Sequence, residues 1–267
     1  MGKIIACVNE KGGVAKTTTI KNVSIGLVNK GKKVLVVDLD PSANLTKILG
    51  LVPEDGVGTI CEIFKRSIQF EEIPKGFGIV SQEEGLAVIT SSSHLHVYET
   101  QLVSAMQREI KLRNYLYPLR EDYDYIFLDC PAGLGIFVTN ALFCADSLII
   151  PLQPHFSAVE AMQNLFKQIA QVRMMNGTNT KPEILGALFT LVRTNTNNDK
   201  KIMETLRKSY SNNHVRLFKT FIPMAAKIPE SDLARKSIYS YAPNSTASMI
   251  YTDLVNEILS IEEEENK

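Results

Sequence analysis

Residues 3–28 read KIIACVNEKGGVAKTTTIKNVSIGLV: an apolar run, a turn with two adjacent glycines, and a stretch able to form a helix. A strand that passes directly into a helix needs a crossover connection, and such crossovers are right-handed and return the chain to a parallel neighbour. The same order recurs along the chain. KVLVVD (33–38), LAVITS (86–91), YIFLD (125–129), SLIIPL (147–152) and ILGALFTLV (184–192) are further β-rich runs. They are continuous rather than alternating, as strands covered on both faces are. Helix-like segments at 17–30, 93–117, 136–144, 156–175 and 199–210 lie between them. The expectation is an α/β fold: a doubly wound, mostly parallel sheet flanked by helices, with ligands at the carboxyl ends of the strands. Residues 51–85 carry scattered Gly and Pro with little periodicity and read as loop and short helix. The acidic end, IEEEENK at 261–267, reads as a frayed helix end or disordered tail, so residues 1–260 are expected to form one domain.

A chain of 267 residues, 45% of them hydrophobic, can build one large core. Its 29 basic and 29 acidic side chains cancel, which excludes a generally polybasic protein and leaves any nucleic-acid contact to a local patch. Cys7, Cys61, Cys130 and Cys144 lie far apart with no C-x-x-C pair. They read as reduced core residues of a cytoplasmic protein, not as a disulfide framework or zinc site. His94, His96, His155 and His214 are scattered without ligand spacing. No signal-like run opens the chain, and nowhere do about 18 apolar residues follow one another, so no membrane partner is expected.

The turn NEKGGVAK sits between strand and helix, the context a phosphate-binding loop of a P-loop NTPase requires. Gly12 and Gly13 let backbone N–H groups converge on phosphate oxygens. The helix starting near Lys16 adds its N-terminal partial charge. Lys16 can reach the β- and γ-phosphates, and the Thr17 hydroxyl can coordinate Mg²⁺. The general pattern G-x-x-x-x-G-K-[ST] asks for glycine where this chain has Glu10 and Ala15. A residue entering a helix has negative φ, so a Cβ at Ala15 is expected to be tolerated. Asp38 and Asp40 end one buried strand and Asp129 another, where carboxylates can orient Mg²⁺, its water or an attacking water. The glycines after Asp129 form a turn able to respond to a γ-phosphate.

KGGVAKTT matches, residue for residue, the deviant loop K-G-G-x-x-K-[ST] of the ParA/MinD family of ATPases, and the chain resembles that family over nearly its whole length. The resemblance implies ATP and Mg²⁺ as cofactors, bound along Lys11, Gly12, Gly13, Val14, Ala15, Lys16, Thr17 and Thr18. It implies that Lys11 reaches across a nucleotide sandwich homodimer to the partner's phosphates while Lys16 acts in its own subunit. A cation at the transferring phosphoryl group stabilises developing charge, as an arginine finger does. VLVVDLDPSANLT resembles the family's D-x-D-P-Q segment, which makes Asp40 the residue that positions the hydrolytic water; Ser42 replaces the glutamine. LDCPAGLG resembles the D-x-P-P-S-L-G switch, with Asp129 as its aspartate and Ala132 and Gly133 as departures. FIPMAAKIPES resembles the segment that holds the adenine ring: Pro223 carries over, and Ala225, in place of asparagine, retains only a backbone contact.

Within that family the cargo is read from charge. Residues 181–250 hold 11 Lys and Arg against 5 Asp and Glu. Sharing a face, they would make a sequence-independent patch for the duplex backbone. LVRTNTNN resembles the partitioning branch's R-T-N segment, which implies a DNA-contacting role for Arg193; Lys227 stands at the position of another such cation. No aromatic residues interleave to stack single-stranded bases. A strand beginning at Lys3 leaves no room before it for a helix-turn-helix. The resemblance therefore implies a ParA/Soj-type partitioning ATPase, nucleoid-associated in the cytoplasm, with nonspecific double-stranded DNA and a ParB-type centromere-binding protein as partners. The alternative is a MinD-like positioning ATPase that recruits a protein cargo, although the acidic ending is unlike a basic membrane-binding helix.

Overall fold

The computed structural model describes residues 1–53, 58–155, 157–177, 181–212 and 215–265. In chain order the elements are β1 (Lys3–Cys7), α1 (Lys16–Val28), β2 (Val34–Asp38), α2 (Asn44–Ile48), α3 (Ile60–Gln69), β3 (Ile79–Ser81), β4 (Ala87–Ile89), α4 (Leu95–Ser104) and α5 (Lys111–Leu116). There follow β5 (Tyr125–Asp129), α6 (Ile136–Cys144), β6 (Ser147–Leu152), α7 (Ser157–Met175), β7 (Glu183–Phe189), α8 (Asn197–Asn212), α9 (Lys227–Leu233), α10 (Ile238–Tyr241) and α11 (Thr246–Glu265).

The seven strands form one sheet in the order β3-β4-β2-β5-β1-β6-β7, parallel except for β3 against β4. Both faces of β1 are covered. Ile4, Ala6 and Val8 join the core under α3 to α8, while Ile5 and Cys7 join the core under α1 and α11. Period-2 alternation thus sends successive apolar side chains into two cores, which is why the run is continuously apolar. The chain leaves β1 toward β2 on one side and later reaches β6 on the other. The switch point of a doubly wound sheet therefore lies at the carboxyl end of β1, between β5 and β6, the place where such sheets form their ligand crevice.

The structure departs from the sequence reading in four places. The stretch 93–117 is not one helix: α4 ends at Ser104, Gln107 takes φ 52°, and α5 restarts the chain at Lys111 before a 3₁₀ helix over Tyr117–Glu121. The region 51–85 contains the ten-residue α3, whose Ile60, Ile63 and Phe64 are buried at helical spacing, and the edge strand β3. Strand β7 stops at Phe189, because Leu191 turns to φ 53°. The acidic ending is not a tail from residue 261: α11 continues to Glu265. Its Ile261 packs in the core beneath the sheet, and Glu262 accepts a hydrogen bond from the Tyr125 hydroxyl and pairs with Lys3 at 3.3 Å. Residues 266 and 267 of that ending lie outside the described residues. No helix among the described residues is long and apolar enough to cross a membrane.

Opposite Gly186 the pairing of β6 with β7 shifts register, between Leu148 and Ile149. The buried Phe218 ring lies against the glycine: a Cβ there would sit 2.6 Å from its Cε2. Replacing Gly186 by alanine overpacks this contact, at a cost of about 1–3 kcal/mol. A thermal melt of Gly186→Ala should show a loss of several degrees, at about 2–4 °C per kcal/mol for a chain of this size.

Candidate nucleotide site

The loop between β1 and α1 is held from three sides. The Asn9 amide donates to the Pro151 carbonyl at 2.6 Å, and its Oδ1 accepts from the Lys11 backbone N–H at 2.9 Å. Gln153, just past β6, donates to the Gly13 carbonyl at 2.9 Å, and the Thr190 hydroxyl donates to the Val14 carbonyl at 2.9 Å. The turn after β5 is tied in by the Gly133 N–H, which donates to the Glu10 carbonyl at 2.8 Å. The Lys16 ammonium is buried and donates to the carbonyls of Lys11 at 2.9 Å and Asn9 at 3.2 Å, so it spans the loop from inside.

Two loop residues adopt the left-handed conformation: Gly13 at φ 70° and Ala15 at φ 64°. The second value corrects the expectation of negative φ at Ala15. Ala15 is the N-cap of α1, not its first helical residue, and a cap here folds back to turn the loop. A Cβ in this region costs about 1–2 kcal/mol, which explains why the general pattern asks for glycine.

Register places Asp38 of β2 beside Asp129 of β5. Both are fully buried. Asp38 accepts from the Thr46 hydroxyl at 2.7 Å, from the Thr46 N–H at 2.9 Å and from the Asp40 N–H at 3.1 Å. It is therefore the hub of the turn that carries Asp40. Ser91, after β4, closes the same turn by donating its hydroxyl to the Asp40 carbonyl at 2.8 Å. Burial pushes the Asp38 carboxyl up to about 6, against the lowering effect of those hydrogen bonds. Asp129 has no such support. Neither of its oxygens has a well-formed hydrogen bond among the described residues; the Thr17 hydroxyl is the one hydrogen-bonding group that approaches it, and it lowers the carboxyl's pKa. Burial first, and Asp38 next, push it well above the usual carboxylate range. Burial also raises the adjoining Cys7 and Cys130 thiols, so these cysteines are inert core groups.

An orphaned, desolvated carboxylate facing a threonine hydroxyl and a lysine is the donor set a hard cation with attached phosphates would complete. Among the described residues no three His, Cys, Asp or Glu side chains converge as a self-sufficient metal cage.

The remaining predicted residues lie toward one side of this crevice. A backbone bridge joins Val192 to Pro223, and the Met224 N–H donates to the Val192 carbonyl at 3.0 Å, which brings the Arg193 segment against the Pro223–Ala225 segment. The Ala225 carbonyl accepts from the Ile228 N–H at 3.1 Å, opening the helix that Lys227 begins. Both cations are exposed and each has an acidic neighbour: Arg193 pairs with the buried Asp199 at 2.8 Å, and Lys227 with Glu230 at 2.8 Å. His214 lies outside the described residues. Sequence reasoning missed Asn9, Ser91, Gln153 and Thr190. Only their place at or just past a strand's carboxyl end marks them, a signal too weak to separate them from ordinary turn residues.

This geometry can be set beside known proteins. A family described as "AAA domain" matches residues 2–184. The sporulation initiation inhibitor protein Soj of Bacillus subtilis is 35% identical over 258 residues, 97% of this chain and 98% of that protein. The chromosome-partitioning ATPase Soj of Treponema pallidum is 31% identical, over 97% and 98%. Among solved structures, cobyrinic acid a,c-diamide synthase of Mycobacterium smegmatis with bound ATP analogue and magnesium superposes with a TM-score of 0.81 at 27% identity, over 97% of this chain and 95% of that one. The chain belongs to the ParA/MinD-type family of P-loop ATPases.

Two outcomes follow from the site's geometry. Ala15→Gly relieves the left-handed strain but adds unfolded-state entropy of about 0.4–1 kcal/mol, so its melting temperature should stay within a few degrees of the parent. Ala15→Val, β-branched at positive φ, should melt clearly lower. Asp38 and Asp129 bind protons more tightly folded than unfolded, so without ligand the folded state gains stability as pH falls. For Asp38 the gain accrues from about 6 down to the unfolded value near 4. Removing the buried charge with Asp129→Asn should therefore raise the ligand-free melting temperature at pH 7.5 and flatten its rise toward pH 5. A variant no more stable than the parent at pH 7.5 contradicts this account.

Proposed function

We propose that the chain is an ATP hydrolase of the partitioning type. Two copies close face to face on ATP and Mg²⁺, the closed pair holds double-stranded DNA without regard to sequence, and hydrolysis stimulated by a ParB-type centromere-binding protein releases it. The observation that carries this reading is one crevice in which a two-lysine phosphate loop faces an orphaned buried carboxylate. Relatives at 31–35% identity over nearly the full length, one of them named a chromosome-partitioning ATPase, support the choice of cargo.

In this reading the backbone from Gly12 through Thr18 cradles the phosphates, including Val14 and Ala15. Lys16 neutralises their charge in its own subunit and Lys11 does so in the partner's. Thr17, Asp40 and Asp129 would hold Mg²⁺, which supplies charge neutralisation at the β- and γ-phosphates. Asp40, braced by Asp38 and Ser91, orients the attacking water. Pro223 and the Ala225 backbone flank the base. Arg193 and Lys227 meet phosphates of the duplex, and the chain works on the nucleoid in the cytoplasm. The last residues of α11, Glu262 to Glu265, are acidic and would be repelled by an anionic bilayer, so no membrane partner is proposed.

The test is binding to arbitrary duplex DNA with ATP, ADP or no nucleotide, at two salt concentrations, with Lys11→Ala in parallel. Binding that needs ATP, weakens with salt and is lost in Lys11→Ala is the expected result. A chain that binds ATP but no DNA in any state overturns the partitioning role.

A further inference from the structure

Helix α1 begins at the phosphate loop, and one of its faces has a second task. Thr18, Lys21 and Asn22 stand at i, i+3 and i+4 and so project from the same side. All three grip one stretch of chain, Asp232 to Ile238. The Thr18 hydroxyl donates to Asp232 Oδ2 at 3.2 Å, the Lys21 ammonium pairs with Asp232 Oδ1, and Lys21 also donates to the Lys236 carbonyl at 2.9 Å. Asn22 Oδ1 accepts from the Ile238 N–H at 2.9 Å, and its amide donates to the Thr18 carbonyl at 3.0 Å. Asp232 lies in α9, the helix that opens four residues beyond Pro223.

Lys21 is fully buried, with no exposed side-chain surface, whereas Asp232 retains 21%. Burial lowers the Lys21 pKa, and Asp232 opposes that shift. A buried ion pair adds little net stability over apolar side chains of similar volume, so stability alone does not account for a lysine here. What it supplies is a directional tie between two elements.

We propose that Lys21 and Asp232 are positioning residues for the nucleotide: the pair fixes the phosphate loop and the Pro223–Ala225 segment at the separation that one nucleotide spans. The inference rests on the nucleotide reading above, because it assigns the 223–225 segment to the base. Thr18, two residues past Lys16 on the first turn of α1, donates its hydroxyl to Asp232, so the tie starts where the loop enters the helix.

The test compares the native chain with Asp232→Asn and with the apolar double variant Lys21→Met/Asp232→Leu. Asp232→Asn leaves a buried ammonium without its counter-charge, so this variant is destabilised. The double variant removes both charges and should melt within a few degrees of native. Affinity for ATP carrying a methylanthraniloyl fluorophore on its ribose and KM for ATP in phosphate release should both weaken about tenfold in the double variant. Its kcat at saturating ATP should stay within about threefold of native. A double variant with native affinity and KM overturns the inference, whether or not its melting temperature moves. So does a loss confined to kcat. A native chain that binds no nucleotide overturns the function proposed above, which separates the two failures.

Discussion

The Asp129 carboxylate, desolvated and without a hydrogen-bond partner among the described residues, is the constraint around which the rest of this crevice is arranged. Parallel register sets Asp38 directly beside it, so two acidic groups share one dry edge of the sheet. Left alone, such a pair costs stability at neutral pH. The chain carries that cost where the nearest cationic group, Lys16, is turned onto loop carbonyls and not onto either aspartate. Two desolvated carboxylates at a sheet's carboxyl edge are a cost that a fold retains at a functional site.

Asp38 and Asp129 differ in a way that separates their tasks. Asp38 spends its oxygens on Thr46 and on the Asp40 N–H, and so shapes a turn. Asp129 spends none. One aspartate is an internal brace and the other is available, although both end five-residue strands with the same apolar approach, VLVVD and YIFLD. From the sequence alone they look alike.

That contrast marks where the sequence is legible. Continuous apolar runs bounded by turn residues locate six of the seven strands, because burial on both faces leaves no other composition open to them. Edge strand β3 escapes since it is only three residues long and half exposed. Helix α3 is legible only as a short helix without bounds, because its buried Ile60, Ile63 and Phe64 stand among charged and polar neighbours in a region rich in turn formers. The loop's chemistry is visible in KGGVAKTT, but its backbone is not. Ala15 sits at positive φ because the loop must reverse at the helix cap, a tertiary demand that overrides the residue's own preference. The Lys21–Asp232 pair spans 211 positions, and no local pattern announces a contact at that separation.

The proposed DNA contact can be weighed by the same physics. Arg193 and Lys227 each already hold a carboxylate, Asp199 and Glu230, so a single subunit presents little net charge at these two points. The exposed Lys227–Glu230 pair is worth about 0–1 kcal/mol, so a phosphate can displace it at small cost, whereas Arg193 must share its guanidinium between a phosphate and the buried Asp199. Two contacts per subunit nevertheless give weak binding at physiological salt, since affinity grows with the number of phosphates neutralised. Joining two subunits doubles that number and turns the second set of contacts into an intramolecular event. On this reading ATP need not reshape the patch at all. Closing the proposed dimer would raise the valence, and valence alone would make DNA binding depend on the nucleotide.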